Sequence, residues 1–399
     1  MPLDDSDAPG RPALSQPDAA GLLAALRQEA ERLGFSRLGV TTAAAPARQD
    51  QFAAWLDRGF AGVMEGWLRR HLPLRGQPDS LLEGARSVIM LATDYAAEES
   101  TIVAADRGRV ARYAWGDDYH GLLRDRLNQL GVWLEAQVPG CQTRGVVDSA
   151  PLSERELAAR AGLGWFGKNT MLIDPRAGSY FFLSGLLTTV VLPIDQPLHV
   201  DHCGTCTACL DACPTDAFPE PRVLDATRCL SSLTIEDHGP IATELRTGFG
   251  NWIFGCDICQ EVCPWNRHAP GTAESALRSR FENGTMPLAE LLRLDESAFR
   301  ELFRGSPIIR AKRRGLLRSA AIALGNHPAP ETASPDDLEA LTQALTDHEP
   351  IVRGAAAWAL GQWRQRSGQL AETIVRTLET HLVSEEDPAV QAEITAALD

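Results

Sequence analysis

Seven of the nine cysteines in this 399-residue chain stand in two short runs at ligand spacing, and an eighth, Cys229, lies between the runs. Cys203-x2-Cys206-x2-Cys209-x3-Cys213-Pro214 places three thiols within seven residues, so one tight loop can turn three sulfurs toward a single point. With this spacing the first three thiolates hold one [4Fe-4S] cluster and the fourth crosses to a second. The second run, Cys256-x2-Cys259-x3-Cys263-Pro264, lacks a first cysteine, and Cys229 is available in its place. The crossing rule then assigns Cys203, Cys206, Cys209 and Cys263 to one cluster and Cys213, Cys229, Cys256 and Cys259 to the other. Zinc also uses Cys-x2-Cys, but it takes two separated pairs and does not ask for three cysteines in seven residues. Grouped cysteines in a reducing compartment read as ligands or catalysts rather than disulfides. Cys141 has no partner at ligand spacing and reads as a small buried hydrophobe.

A second chemistry centres on Val147-Asp148-Ser149-Ala150-Pro151-Leu152-Ser153-Glu154-Arg155-Glu156, which places an acid between a short strand and a helix. Ser153 and Glu156 have the spacing of a capping box, which would fix the helix start. A carboxylate near that start is stabilised as an anion, so Asp148 needs a perturbing environment to serve as a proton donor; a capping role is its plainer alternative. Gly162-Leu163-Gly164-Trp165-Phe166-Gly167-Lys168-Asn169-Thr170 can bring backbone amides close to a large ligand, but matches neither a P-loop nor a dinucleotide fingerprint. Arg112-Tyr113-Ala114-Trp115-Gly116-Asp117-Asp118-Tyr119-His120 is a third dense cluster. Asp118-x-His120 begins like a cobalamin-ligating Asp-x-His-x-x-Gly motif, yet Leu123 stands where glycine belongs, so His120 does not read as a cobalt ligand.

The elements that must position these residues fall into blocks. After an acidic, Pro-rich stretch over 1–17, expected to be a disordered tail without signal-peptide character, helical periodicity runs from Asp18 to about Gly34. Ser87 to Ala92 and Thr143 to Val147 read as strands, Gly121 to Gln137 as a helix, and Tyr180 to Leu192 as a hairpin or two strands. Residues 18–195 thus predict an α/β or α+β domain, and residues 196–270 a small module in which metal ligation replaces a large apolar core. A helical connection over 271–303 leads to an Ala- and Leu-rich region, 304–399, where Ser319-Ala320-Ala321-Ile322-Ala323-Leu324-Gly325 matches Ala355-Ala356-Ala357-Trp358-Ala359-Leu360-Gly361 at an offset of 36 residues. Such a period predicts two or three stacked HEAT-like helix pairs, an ordinary helical bundle being the alternative.

Composition, 44% hydrophobic and 23% charged, is that of an ordered globular protein. The longest apolar run falls short of the ~20 residues that span a bilayer, and the expectation is a soluble cytoplasmic monomer with no membrane partner. A net charge of −15 opposes general attraction to a polyanion. Against that background Leu302 to Pro330 carries Arg304, Arg310, Lys312, Arg313, Arg314 and Arg318 and no acid, which predicts a local phosphate-binding field; a solvated helix face is the alternative.

Taken together, RYAWGDDYH at 112–120, VDSAPLSERELAARAGLGWFGKNT at 147–170, the cysteine runs and GCDICQEVCPWN at 255–266 resemble the epoxyqueuosine reductase family. The resemblance covers about 25–325 plus the repeats. It implies a cobalamin-binding N-terminal domain related to reductive dehalogenases, a ferredoxin-like module with two [4Fe-4S] clusters and an all-α HEAT-like C-terminus. The implied reaction is two-electron reduction of the epoxide of epoxyqueuosine to queuosine at the tRNA wobble position. An external donor of flavodoxin or ferredoxin type would supply the electrons. By resemblance Asp148 is the proton donor, and Arg112, Tyr113, Ser153, Gly167, Lys168, Asn169 and Asp257 join it as contacts to cobalamin. The six basic residues would meet the anticodon stem-loop. Ala111 stands where some relatives have a thiol, so a cysteine there is not essential. Two further readings remain open on the residues: a dehalogenase-like enzyme for small molecules, and a non-enzymatic two-cluster electron carrier.

Overall fold

The computed structural model describes residues 16–97, 103–198 and 201–399. Most of the expected N-terminal tail lies outside them. Nine strands occur among the described residues: β1 (Arg37–Thr42), β2 (Ser87–Asp94), β3 (Arg107–Val110), β4 (Thr143–Val146), β5 (Trp165–Phe166), β6 (Leu172–Ile173), β7 (Phe181–Thr188), β8 (Trp252–Phe254) and β9 (Thr285–Pro287).

Side chains alternate across a strand, so an uninterrupted apolar run belongs where both faces are covered. Ser87 to Ala92 is such a run, and β2 lies inside a four-stranded antiparallel sheet of order β1-β2-β7-β4. Ile89 and Leu91 point to one core, formed with Leu26 and Ala30 of the helix Gln16–Arg32 and with Leu123, Leu127 and Leu130 of the helix Tyr119–Gln137. Val88, Met90 and Ala92 point to the other, closed by Leu157 and Ala158 of the helix Glu154–Arg160. The domain is α+β. Tyr180 to Leu192 holds one strand rather than the expected hairpin, because β7 pairs along its length with β2 and, at its far end, with β4. Ser184, Gly185 and Thr188 are thereby kept within the ladders instead of forming a turn.

A second sheet, β8-β3-β9, was not legible in the sequence. Its central strand comes from the N-terminal domain, β8 from the cysteine module in parallel, and β9 from the following segment in antiparallel. The expected helical connection over 271–303 is accordingly not helical throughout: β9 precedes the short helices Leu288–Leu292 and Glu296–Leu302.

The C-terminal repeats form helices Lys312–Gly325, Pro335–Ala344, Pro350–Arg366, Gly368–Ser384 and Pro388–Leu398. The repeated glycines explain the internal match, since each marks a close approach of alternate helices. A Cβ on Gly325 would lie 2.5 Å from Trp358 and 2.9 Å from the Ala359 Cα, and one on Gly361 would lie 2.8 Å from Ala397. Trp363 is fully buried at this stack and donates its indole N–H to the Leu324 carbonyl at 2.7 Å. Trp363→Ala removes both the packing and the bond and is expected to cost roughly 3–5 kcal/mol, read as a lower denaturant midpoint.

Candidate active site and cluster cages

Asp148 follows β4 in a left-handed backbone conformation, φ +51°, which an aspartate tolerates better than a β-branched residue. Its side chain retains 63% of its surface yet has protein on most sides, so it stands in an open recess. One oxygen, Oδ2, accepts the Tyr119 hydroxyl at 3.0 Å and lies 3.3 Å from His120 Nε2. The other imidazole nitrogen lies 2.7 Å from Asp118 Oδ1, the same oxygen that caps the helix by accepting the His120 N–H. Tyr119 is fixed by stacking on Phe182 of β7, ring centroids 4.0 Å apart.

This arrangement sets the charges. Hydrogen bonds to Asp118 and Asp148 push His120 up to about 9, so it is an imidazolium at neutral pH. The same bond to His120 holds the Asp148 carboxyl below the usual range despite its surroundings, and the Arg310 guanidinium adds to that effect. Burial raises Tyr119, which therefore stays a hydroxyl donor. Glu154 accepts the Asp148 backbone N–H at 2.8 Å, and burial pushes its carboxyl up to about 8. Asp148 is not a capping residue, and the expected Ser153–Glu156 capping box is absent. Ser153 makes no side-chain cap bond, and the Glu156 carboxylate is drawn to the backbone amides of Ala47 and Arg48.

The cysteines meet as two groups of four. Cys203, Cys206, Cys209 and Cys263 line one pocket, with Trp265 and His202 on its wall. Burial, with Cys263 and Cys203 beside it, pushes the Cys209 thiol up to about 11. Cys229 and Cys256 lie beside Cys213, and Cys259 lies beside Cys256 and Cys229. Cys206 is exposed, whereas burial raises the thiols of Cys256 and Cys259 in the inner group. Sets of four soft sulfur donors, costly to ionise without a cation among them, fit iron–sulfur clusters. Among the described residues no three His, Cys, Asp or Glu side chains form a site for a single metal ion. Cys141 is only partly buried, at the edge of the N-terminal core.

Several residues expected at the cofactor engage the cysteine module. Lys168 donates to the Gly204 carbonyl at 2.8 Å and the Cys206 carbonyl at 2.9 Å, and Asn169 donates to the Cys259 carbonyl at 3.1 Å. Gly167 sits inside the turn joining β5 and β6, where a Cβ would press on Ile173 and Asn169. Arg112 and Asp257 form a buried pair at 3.2 Å, to which Asp257 also brings a 2.7 Å bond from the Arg112 backbone N–H. Lys168 and Asn169 thereby tie both cysteine loops to the N-terminal domain, and the Arg112–Asp257 pair adds a second tie beside Cys256. Tyr113 and Asp148 remain toward the recess. Tyr113 feels the charge of Asp148 and lies against Gly255, the residue preceding Cys256, so it stands between acid and inner cage.

Three comparisons bear on this geometry. A 4Fe-4S double cluster binding domain matches residues 202–266, epoxyqueuosine reductase QueG matches 75–149, and HEAT repeats match 308–399. The epoxyqueuosine reductase of Xanthomonas campestris is 41% identical over 354 residues, covering 88% of this chain and 98% of that one. That of Escherichia coli K12 is 41% identical over 358 residues, covering 88% and 93%. The chain belongs to the epoxyqueuosine reductase family. A crystal structure of epoxyqueuosine reductase with an epoxyqueuosine-modified tRNA-Tyr stem loop superposes with a TM-score of 0.86 at 32% identity, covering 95% of this chain and 98% of that chain. The Bacillus subtilis epoxyqueuosine reductase, with its catalytic aspartate loop swung out of the active site, gives a TM-score of 0.85 at 31% identity, covering 95% and 99%. The double-cluster and repeat matches agree with the expected fold, and no described helix is long and apolar enough to cross a membrane.

Within this member of the epoxyqueuosine reductase family the basic segment divides. Arg318 is 1% exposed and donates to the carbonyls of Leu233 and Asp237, while buried Arg313 pairs with Asp347. Both are structural, which corrects their expected contact with phosphate. The segment has no acid of its own, but acids arrive from elsewhere in the fold. Arg310 pairs with Glu236 at 2.6 Å and Arg314 reaches Glu349 at 3.8 Å. Arg304, Arg310 and Lys312 remain at the surface, and Arg310 is close enough to lower the Asp148 carboxyl. The sequence reading missed the partnership of His120 and Tyr119 with Asp148. The Asp118-x-His120 spacing was its visible signal, set aside as a metal motif.

Proposed function

We propose that this chain reduces the epoxide of epoxyqueuosine in tRNA to the alkene of queuosine, with Asp148 giving the departing oxygen its proton. The observation that carries the reading is the junction of an acid–imidazole pair, an inner four-cysteine cage reached through Tyr113, and Arg310 at one recess. Electrons from an external flavodoxin- or ferredoxin-type donor enter at the exposed Cys206 side and pass to the inner cage formed by Cys213, Cys229, Cys256 and Cys259. Arg304, Arg310 and Lys312 supply phosphate contacts that place the anticodon loop over Asp148. The relative crystallised with a modified stem loop supports this choice over a small-molecule dehalogenase or a simple electron carrier.

The protein residues at the recess offer acid and hydrogen-bond chemistry but no strong reductant of carbon. Cobalamin fits that need: the recess is open and polar, Tyr113, Ser153 and Asp148 would meet the corrin, and the Ser153 hydroxyl is not consumed by helix capping. Bound cobalamin would supply the low-potential, carbon-directed reductant. Carboxylates engage both ring nitrogens of His120, so its place in this reading is beside the acid. The test is anaerobic incubation of an epoxyqueuosine-containing stem-loop with reduced enzyme, with and without added cobalamin. Queuosine is expected only with it, by mass spectrometry of the digested RNA; equal conversion without cobalamin sinks the corrin assignment.

A further inference from the structure

This inference rests on the epoxide reduction proposed above and concerns its protons. Converting an epoxide to an alkene breaks both C–O bonds, forms a C=C bond, and releases the oxygen as water at the cost of two electrons and two protons. The electrons come from the external donor. A single carboxyl supplies one proton at most, and Asp148 rests as a carboxylate because His120 holds it so. The protons must therefore reach it from a neighbour.

We propose that His120, oriented by Asp118, is the proton relay that loads Asp148 twice per turnover and is itself reloaded from water. Its Nε2 lies 3.3 Å from Asp148 Oδ2 and its Nδ1 lies 2.7 Å from Asp118 Oδ1, so the imidazole bridges two carboxylates. The His120 side chain is 27% exposed, which leaves water access for reloading. The first proton moves from Nε2 to Asp148 and on to the oxygen as the first C–O bond opens. The second takes the same path as the hydroxyl leaves as water. Tyr119 donates to the same Oδ2 at 3.0 Å, but burial keeps its own proton in place, so it holds the carboxylate rather than feeding it. The other titratable and charged groups facing this pair are Arg124 beside Asp118, and Arg310, Arg75, Arg155 and Glu154 beside Asp148. Arg310 stabilises the carboxylate and so keeps the resting proton on the imidazole. His120 acts through Asp148 and is a positioning residue in that sense, as Asp118 is for His120.

The test is single-turnover reduction of the stem-loop by pre-reduced, cobalamin-loaded full chain across pH. Wild type should hold a constant rate up to about 9, where the imidazolium is present, and lose it above. His120→Gln should be slower by on the order of 100-fold, should lose activity at more acidic pH, and should be partly rescued by added imidazole. Asp118→Asn, which keeps the imidazole, should bring the alkaline fall to lower pH. Should His120→Gln fail to retain its clusters, Asp118→Asn decides by its profile, and an unmoved profile overturns the relay. A wild-type rate and profile in His120→Gln also overturn it. An independent readout is the titration of His120 by nuclear magnetic resonance on nitrogen-labelled histidine. A midpoint near 9 is expected, and one at the ordinary 6.5 overturns the proposal. Absence of wild-type turnover with the raised titration would instead overturn the epoxide reading.

Discussion

Asp148→Asn is expected to lower queuosine formation by at least about 100-fold while leaving iron and sulfide content unchanged. The substitution keeps the shape of the side chain but removes the charged acceptor that draws the proton of His120 at 3.3 Å. An amide cannot pass that proton to a leaving oxygen, so turnover should fall in rate rather than in affinity for RNA. The left-handed backbone at this position, φ +51°, suits asparagine as well as aspartate, so the loop should survive the change. The measurement is single-turnover conversion beside stem-loop affinity. Equal rates for mutant and wild type would remove Asp148 from the chemistry.

The second large effect concerns the cages. Cys263→Ala should reduce the anaerobic iron content from about eight to about four per chain, and turnover should vanish with the broken route. The double variant Cys203→Ala/Cys263→Ala separates the crossed pairing from its alternative. With Cys203 and Cys263 in one cavity, as the geometry has them, the double variant should still hold about four irons. A pairing by sequence proximity would strip both clusters. Zinc in place of iron, without inorganic sulfide, would refute the route altogether.

The parts of this molecule that were legible are those fixed by local chemistry. Three thiols in seven residues can do little else, and the five apolar residues from Val88 to Ala92 need a strand covered on both faces. The family could be read from motifs because they combine these local constraints. Long-range partnerships were hidden. Arg313 and Arg318 stand in an acid-free stretch, yet Asp347 lies 34 positions from Arg313, and backbone carbonyls 79 to 85 positions away capture Arg318. No window along the chain shows such neighbours. Glu156 has capping-box spacing, but the amides of Ala47 and Arg48 outcompete the local partner. The strands β3, β8 and β9 span three or four residues each, too few for alternation to register, and each needs the others to be a strand at all.

That small sheet has a consequence for electron flow. Because β3 takes one neighbour from the cysteine module and another from the segment leading to the repeats, backbone hydrogen bonds stitch three stretches of chain into one plank. Tunnelling rates fall steeply with separation, so a redox enzyme that flexed between donor and acceptor would throttle itself whenever RNA docked. Here the distance the electron must leap is set by main-chain carpentry.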